Sequence, residues 1–198
     1  MASKAEERRN ALRATLIEKA EARIASDGLD QLRARDLAKD AGCSVGAIYN
    51  AFGDLNELAM AVNARTFQRL GSTVTASFAG KTIPPRDRLV IMSHAYLHFA
   101  EEHTLLWRAL FDLKMSSDMA VPQWYLAELQ AVFAHIAGPL AEIFPDWQPE
   151  KIGLMTRALF SAVHGIVLLG LEKRISAVPL DQIESMIALV LANVTSSK

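Results

Sequence analysis

Residues 35–52 read RDLAKDAGCSVGAIYNAF, which is two short helical patterns separated by a glycine. The apolar positions fall on one face of each pattern: Leu37 with Ala41, then Val45 with Ile48 and Phe52. Gly42 can adopt the positive φ that reverses the chain, and Ser44 can cap the second helix by accepting a backbone N–H. This spacing predicts a helix-turn-helix, a motif whose second helix can enter the major groove of DNA.

The outward face of the second helix is short and polar. Asparagine can bond adenine in a bidentate manner, and tyrosine and serine hydroxyls can bind phosphates. The smallest side chains on this face would let the backbone approach a duplex closely. The face consists of Ser44, Gly46, Ala47, Tyr49 and Asn50. On spacing alone, an ordinary two-helix hairpin within a helical bundle explains the stretch equally well.

The same stretch and its continuation NELAMAV (residues 56–62) resemble the DNA-binding domain of the TetR/AcrR family of transcriptional regulators. The resemblance covers residues 8–60. It implies an all-helical homodimer whose first three helices bind DNA, whose fourth helix connects and whose last two helices form the dimer interface. It also implies a set of DNA contacts on the second and third helices: Arg35, Ser44, Val45, Gly46, Ala47, Tyr49 and Asn50.

Two positions depart from the family pattern. Leu55 stands where the family usually has a phosphate-binding lysine at the start of helix four, and Arg33 replaces the usual Ser or Thr cap of helix two. We expect Arg33, or Arg8 or Arg9 of the first helix, to supply a replacement phosphate contact. Residues 1–55 carry nine Lys and Arg against nine Asp and Glu, which argues against a non-specific, charge-driven nucleic-acid binder.

Helical spacing recurs along almost the whole chain and predicts an all-α fold. The expected helices span residues 5–27, 35–41, 45–52, 54–78, 85–102, 104–115, 119–143, 149–174 and 180–194. Gly28 is placed to end the first of these in a left-handed conformation, and Asp54 is expected to cap the fourth, with Glu57 three residues on. We expect a DNA-binding domain over residues 1–53 and a ligand-binding and dimerisation domain over residues 54–198, with 54–78 as the connecting helix. The Gly138-Pro139 pair is expected to kink or split the seventh helix.

The longest uncharged run, residues 158–171, is shorter than the roughly 20 residues that a membrane-spanning helix needs. We therefore interpret it as a buried core or interface helix. With the apolar stripe of the last helix it predicts a four-helix dimer interface made by Phe160, Val163, Val167, Ile183, Ile187, Val190 and Leu191. A purely intrachain core is the alternative. The His164-Gly165 pair resembles the His-Gly pair of one C-terminal subclass of the family.

Aromatic and histidine side chains are dense in the middle of the chain. A ligand pocket combines apolar walls with a few polar groups, and the candidates are His94, His98, Trp107, Phe111, Trp124, Tyr125 and His164. His135 is a further candidate, as a polar group in an apolar helix. For each histidine, a hydrogen-bonded core role is the alternative. His94 and His98 have the spacing of metal ligands on a helix, but no cysteine or clear carboxylate completes a set. We expect neither a metal nor a cofactor.

Composition and motifs narrow the function further. Cys43 is the only cysteine and the N-terminus has no apolar segment, which fits a cytoplasmic protein without a membrane partner. The chain has no nucleophile elbow, phosphate loop, HExxH or dinucleotide fingerprint, which argues against an enzyme using a C-terminal cavity. We expect a non-enzymatic repressor that binds a palindromic operator in double-stranded DNA as a homodimer and is released by a small-molecule effector. A helical dimer that has lost DNA binding is the alternative.

Overall fold

The computed structural model of the chain describes residues 3–113, 121–172 and 179–195. These residues form nine α-helices and no strand. The helices are α1 (Lys4–Asp27), α2 (Ala34–Asp40), α3 (Val45–Ala51), α4 (Leu55–Phe78), α5 (Pro85–Glu102), α6 (Thr104–Asp112), α7 (Gln123–Ile143), α8 (Pro149–Leu171) and α9 (Ile183–Thr195). Short 3₁₀ turns cover Leu29–Gln31 and Leu180–Gln182. The predicted all-α fold is confirmed.

The ends of α1 follow from local chemistry. Ser3 and Glu6 form a capping box, in which the Glu6 N–H donates to Ser3 Oγ at 3.2 Å and the Ser3 N–H donates to Glu6 Oε2 at 3.3 Å. Gly28 has a φ of 86°, and its N–H donates to the Ile24 carbonyl at 3.0 Å, so the helix ends where the glycine was expected to end it. Leu16 and Ile24 lie on the buried face.

The chain divides into two compact units, and the first comprises Met1–Phe67 and His103–Ala127. Its core is built from fully buried side chains of the first four helices together with buried residues of α6: Leu16, Ile24, Leu37, Ile48, Phe52, Leu58, Leu106 and Ala109. Within this unit α6 packs against α1, and α2 packs against α3. Burying such aliphatic and aromatic side chains is the main favourable term in folding.

The second unit comprises Gln68–Glu102 and Glu128–Lys198. Here α5 packs against α8 and α9, and α8 packs against α9. Its buried side chains include Leu89, Leu140 and Ile187. Gly170 has no room for a side chain, since an added Cβ would lie 2.2 Å from Cδ1 of Ile183, so this glycine allows α8 and α9 to approach closely.

The helix bounds differ from the sequence-based ones at a few ends. The predicted ends Met115, Met119 and Arg174 lie outside the described residues. The structure does not split α7 at Gly138-Pro139, because one continuous helix runs through Pro139. Proline removes a single backbone hydrogen bond there. The neighbouring Leu140 is fully buried, and its packing helps to hold the turn together.

Helix α8 is, within the described part of the chain, the one helix long and apolar enough to cross a membrane by length and composition. It is longer than its uncharged run, because residues 149–157 extend it at the N-terminal end. Core helices of soluble proteins meet the same criteria. In this chain Val163 and Val167 of α8 are buried within the second unit.

Candidate functional site

The turn between α2 and α3 has the geometry expected of a helix-turn-helix. Gly42 adopts a φ of 62°, and the Cys43 N–H donates to the Ala38 carbonyl at 2.9 Å. Ser44 caps α3, because its Oγ accepts the Ala47 N–H at 3.2 Å. Ile48 is fully buried, so the inner face of α3 is anchored in the core of the first unit.

The outer face of α3 is open to solvent in this chain. Tyr49 is 47% exposed, and Ser44, Gly46 and Asn50 are exposed as well. The other two predicted contacts on α3, Val45 and Ala47, are half-buried. A hairpin serving only as a bundle element would cover this face with its neighbours. The polar face is instead available to a macromolecular partner.

The two arginines at the start of α2, the N-cap Arg33 and Arg35 within the first turn, have different surroundings. Arg35 is exposed and has no ion-pair partner among the described residues. Arg33 is also exposed, but its guanidinium donates to the backbone carbonyls of Asp30 and Leu32. It stands at the N-cap of α2 without a side-chain capping bond. A phosphate contact from Arg33 would therefore replace hydrogen bonds that it already makes.

Leu55, the residue that replaces the usual lysine, is the first residue of α4. Its side chain is half-buried and packs against the core cluster of the first unit. The position therefore contributes apolar packing where a lysine would offer a cation to a phosphate. The preceding residue caps α4 as expected, because Oδ1 of Asp54 accepts the Glu57 N–H at 2.7 Å.

Sequence analysis missed Arg13, which links α1 to the end of α3. Its guanidinium donates to the Ala51 carbonyl and lies 4.0 Å from the centroid of the Phe52 ring. It also pairs with Glu57 Oε1 at 3.3 Å, while Glu57 Oε2 accepts the Gly53 N–H at 2.8 Å. These contacts hold the C-terminal end of α3 in place. The signal in the sequence was an arginine beside the apolar stripe of α1.

Further ion pairs neutralise cations of the first unit. Arg23 of α1 pairs with Asp40 at the end of α2, and the hydrogen bond from Arg23 lowers the pKa of the Asp40 carboxyl. Arg65 of α4 pairs with Glu21 of α1 at 3.2 Å. Some of the arginines of the first unit are thus paired with carboxylates of a neighbouring helix.

The second unit contains a cavity of about 540 Å³, a volume that includes its solvent-open part. Residues of α4, α5, α7, α8 and α9 line it. Ten of its thirteen lining side chains are apolar, among them Leu70 and Phe160. The three polar ones are Ser93, Tyr96 and His135. This combination of apolar walls and few polar groups is typical of small-molecule sites.

Of the candidate ligand contacts, His135 lines this cavity, whereas the other seven do not. Four of them belong to the first unit, where Trp107 is fully buried and Phe111 is 42% exposed. Trp124 is 45% exposed, and Tyr125 is buried, with its hydroxyl 3.4 Å from Asn63 Nδ2. Burial raises the pKa of the Tyr125 hydroxyl. The ligand contacts proposed for these residues stay predictions.

The other three predicted contacts are histidines of the second unit. His94 is half-buried. The exposed His98 has Glu101 and Glu184 at 3.3 Å from its two ring nitrogens. No group of three or more His, Cys, Asp or Glu side chains within the described ranges is placed to hold a metal ion.

His164 lies next to the cavity wall. Its Nδ1 is 2.8 Å from the Tyr96 hydroxyl, and its ring stacks on Phe160 with 5.5 Å between the centroids. Burial lowers the pKa of the imidazole. The neutral ring can accept the Tyr96 hydroxyl hydrogen, which orients the tyrosine in the wall. The sequence indicated His164 correctly as a polar group in an apolar helix, but gave no sign of its partner on α5.

The residues predicted for a dimer interface fall into two groups. Five of them are buried within the chain itself and have little surface left for a partner: Val163, Val167, Ile183, Ile187 and Leu191. Phe160 and Val190 are half-buried. The intrachain alternative therefore explains the burial of the five. Other apolar side chains of α8 and α9 are exposed, with Leu154 at 69%, Leu169 at 48% and Leu189 at 65%.

Comparison with known proteins places these observations in a family. Residues 89–193, just over half of the chain, match a family model described as tetracyclin repressor-like, C-terminal domain. No curated protein matches the chain. The match of residues 89–193 complements the resemblance over residues 8–60, since the two cover different parts of the sequence.

Solved structures share the fold at low sequence identity. One is a TetR transcriptional regulator from Rhodococcus sp. RHA1, with 18% identity, a TM-score of 0.65 and coverage of 93% of this chain and 96% of that one. Another is RolR in complex with resorcinol, with 16% identity, a TM-score of 0.72 and coverage of 97% and 91%. A third is FadR from Bacillus subtilis with stearoyl-CoA, with 15% identity, a TM-score of 0.69 and coverage of 90% and 97%.

Proposed function

The chain belongs to the tetracyclin repressor-like family, and we propose that it is a ligand-responsive transcriptional regulator that reads DNA with α3. One observation carries the proposal: a capped helix, anchored by the buried Ile48, presents the exposed Tyr49 and Asn50 to solvent. A polar face on a rigid helix is what direct readout in the major groove requires.

Each residue of the face has a role in this proposal. Asn50 bonds a base edge, and the hydroxyl groups of Ser44 and Tyr49 bind phosphates. Gly46 and Ala47 keep the helix surface low, so that the backbone comes close to the duplex. Arg35 supplies a cation to a phosphate or a base edge. Arg33 would have to exchange its backbone carbonyl partners for a phosphate.

We assign the regulator a homodimeric form and a palindromic operator. A dimer that holds its two recognition helices about 34–36 Å apart matches successive major grooves on one face of DNA. The exposed Leu154, Leu169 and Leu189 supply an apolar surface on α8 and α9 for the partner. Gly165 supports this, because an added Cβ there would meet nothing within 4 Å in its own chain.

The cavity of the second unit is the proposed effector site. The similar folds of RolR and FadR, which hold resorcinol and stearoyl-CoA, support the idea that such a scaffold accepts small molecules with an aromatic ring or an acyl chain. Helix α4 runs without interruption from Leu55 to Phe78, and Leu70 and Val74 line the cavity. A ligand that binds the DNA-competent and released forms with different affinities would shift their populations. Because the effector would release the protein from DNA, we infer that the protein acts as a repressor. We place it in the cytoplasm and assign it no enzymatic activity.

Titration of the purified protein against fragments of its own upstream region tests this function. Asn50→Ala should weaken the operator complex by about tenfold or more, because a bidentate base contact is lost. Tyr49→Phe should weaken it less, because it removes one phosphate hydrogen bond. Gln130→Ala, an exposed amide on α7, is the matched control and should leave binding unchanged. Undiminished binding by both α3 variants would overturn the assignment.

A helical dimer without DNA binding is the second candidate, and Leu55 favours it. The missing lysine and the ion pairs of Arg13 and Arg23 leave fewer cations for phosphates. The dependence of affinity on salt separates the two candidates. A DNA-binding regulator loses affinity as salt rises, since phosphate contacts release counterions. The second candidate gives no saturable complex with any upstream fragment at any salt concentration.

A further inference from the structure

We propose that the cavity of the second unit takes a small, uncharged and mainly apolar molecule that carries a hydroxyl group. This inference rests on the proposed function, because it names the class of effector for the proposed effector site. It is argued from the chemistry of the lining side chains.

The walls set the apolar part of the ligand. Aliphatic side chains from five helices face the space, among them Leu70 of α4, Ile136 of α7 and Leu159 of α8. Two aromatic rings, Tyr96 and Phe160, meet edge to face in the wall, with 6.1 Å between their centroids. Apolar surface of this kind gains from excluding water around a hydrocarbon or an aromatic ring.

The lack of charged side chains in the cavity wall indicates that the ligand is uncharged. No Asp, Glu, Lys or Arg is among the lining residues. An ionised carboxylate or amine would lose its hydration without a fixed partner of opposite charge, and that loss is large in an apolar site. The cavity therefore selects neutral molecules over ions of the same size.

The three polar side chains of the cavity wall indicate that the ligand carries a hydroxyl group. Ser93 Oγ donates its hydrogen to the Leu89 carbonyl at 2.8 Å, so toward the cavity it can only accept. The Tyr96 hydroxyl is engaged with His164. His135 has no hydrogen-bond partner among the described residues, and its imidazole can both donate and accept. A ligand hydroxyl satisfies these groups because it donates and accepts, whereas an ether or ketone oxygen only accepts.

Calorimetric titration of the full-length protein with three probes of one scaffold tests the inference. The probes are 4-propylphenol, propylbenzene and 4-propylbenzoate, which differ only in carrying a hydroxyl, nothing polar or a carboxylate. The phenol should bind saturably and about tenfold more tightly than either of the other two, which corresponds to the loss of one good hydrogen bond or the burial of an unpaired charge. Equal or tighter binding of the benzoate, or of propylbenzene, would overturn the proposal.

Variants locate the binding within the cavity. His135→Leu should weaken 4-propylphenol by up to about tenfold, while propylbenzene binding is kept or improved. His103→Leu makes the same chemical change at a half-buried histidine of the first unit, outside the cavity, and should leave both affinities unchanged. Loss of phenol binding in His103→Leu but not in His135→Leu would place the ligand elsewhere.

This experiment contains no DNA, so its failure is separable from failure of the regulator assignment. If none of the probes binds while upstream DNA is still bound, the ligand class is wrong and the regulator proposal stands. If 4-propylphenol binds as expected while no DNA fragment is bound, the ligand class stands and the regulator proposal fails.

Discussion

The His164 imidazole prefers its neutral form in the folded chain, because burial lowers its pKa from the ordinary value of 6.5. As the pH falls below 6.5, the unfolded chain takes up the proton first, so the free energy of unfolding decreases until the folded-state pKa is reached. Urea denaturation at a series of pH values measures this loss.

His164→Gln is the informative variant for that titration. A glutamine can still bond the Tyr96 hydroxyl but cannot gain a proton, so the loss of stability below pH 6.5 should become smaller than in the parent. An unchanged pH slope in the variant would mean that another group causes the loss.

At this scale the sequence predicted some residues well and others not at all. Tyr49 and Asn50 were expected to face outward, and they do, because the spacing of apolar residues fixes which side of a short helix is buried. Of the polar cavity residues, Ser93 was not selected, and His135 was a candidate only as one of four histidines in apolar helices. Their helices are apolar on more than one side, and a histidine on such a helix gives no sign of whether it meets a cavity or a neighbour.

Among the helices, α4 allows a direct test of how much an N-cap contributes to stability, because Asp54 caps its first turn. Asp54→Ala removes the hydrogen bond to the Glu57 N–H and should lower the free energy of unfolding by about 1 kcal/mol. Asp54→Ser keeps a hydrogen-bond acceptor at the cap and should lower the free energy of unfolding by only about 0.3 kcal/mol. Chemical denaturation of both variants measures the difference, and equal losses would contradict a capping role.

Helix ends were predictable wherever a single residue decides them. Gly28 ends α1, and Ser44 begins α3, because each satisfies backbone groups that a helix end leaves open. The effect of Pro139 was overestimated. Helix α7 continues through Pro139, and the adjacent Leu140 is fully buried. The packing of this part of the helix, which cannot be seen in the sequence, outweighs the lost backbone hydrogen bond.

For the whole molecule, the fold class could be predicted from helical spacing, but the packing partners of the last two helices could not. The apolar stripe of α9, with Ile183 and Ile187, has the same sequence pattern whether it packs against another helix of the chain or against a second subunit. The structure buries both side chains within the chain. Which apolar residues are left over for a subunit contact depends on how α5, α8 and α9 pack, and that is a property of the assembled unit.

The proposed dimer contact can be tested with charges on the exposed leucines. Leu169→Arg and Leu189→Arg should convert the dimer to a monomer, because each buries an unpaired cation in an apolar contact. Sedimentation velocity measures the change. Phe111→Arg, at an apolar side chain of similar exposure in the first unit, is the matched control and should leave the mass unchanged. A dimer that survives both leucine variants must use another surface.

The arginine–carboxylate pairs of the first unit, Arg13 with Glu57 and Arg23 with Asp40, bear on how the proposed regulator would search for an operator. Sliding along a chromosome depends on weak contacts between unpaired cations and any phosphate backbone. Cations that are paired within the protein would shorten each visit to random sequence. More of the search would then proceed by repeated collisions from solution, and the protein would spend less of its time bound to sequences other than an operator.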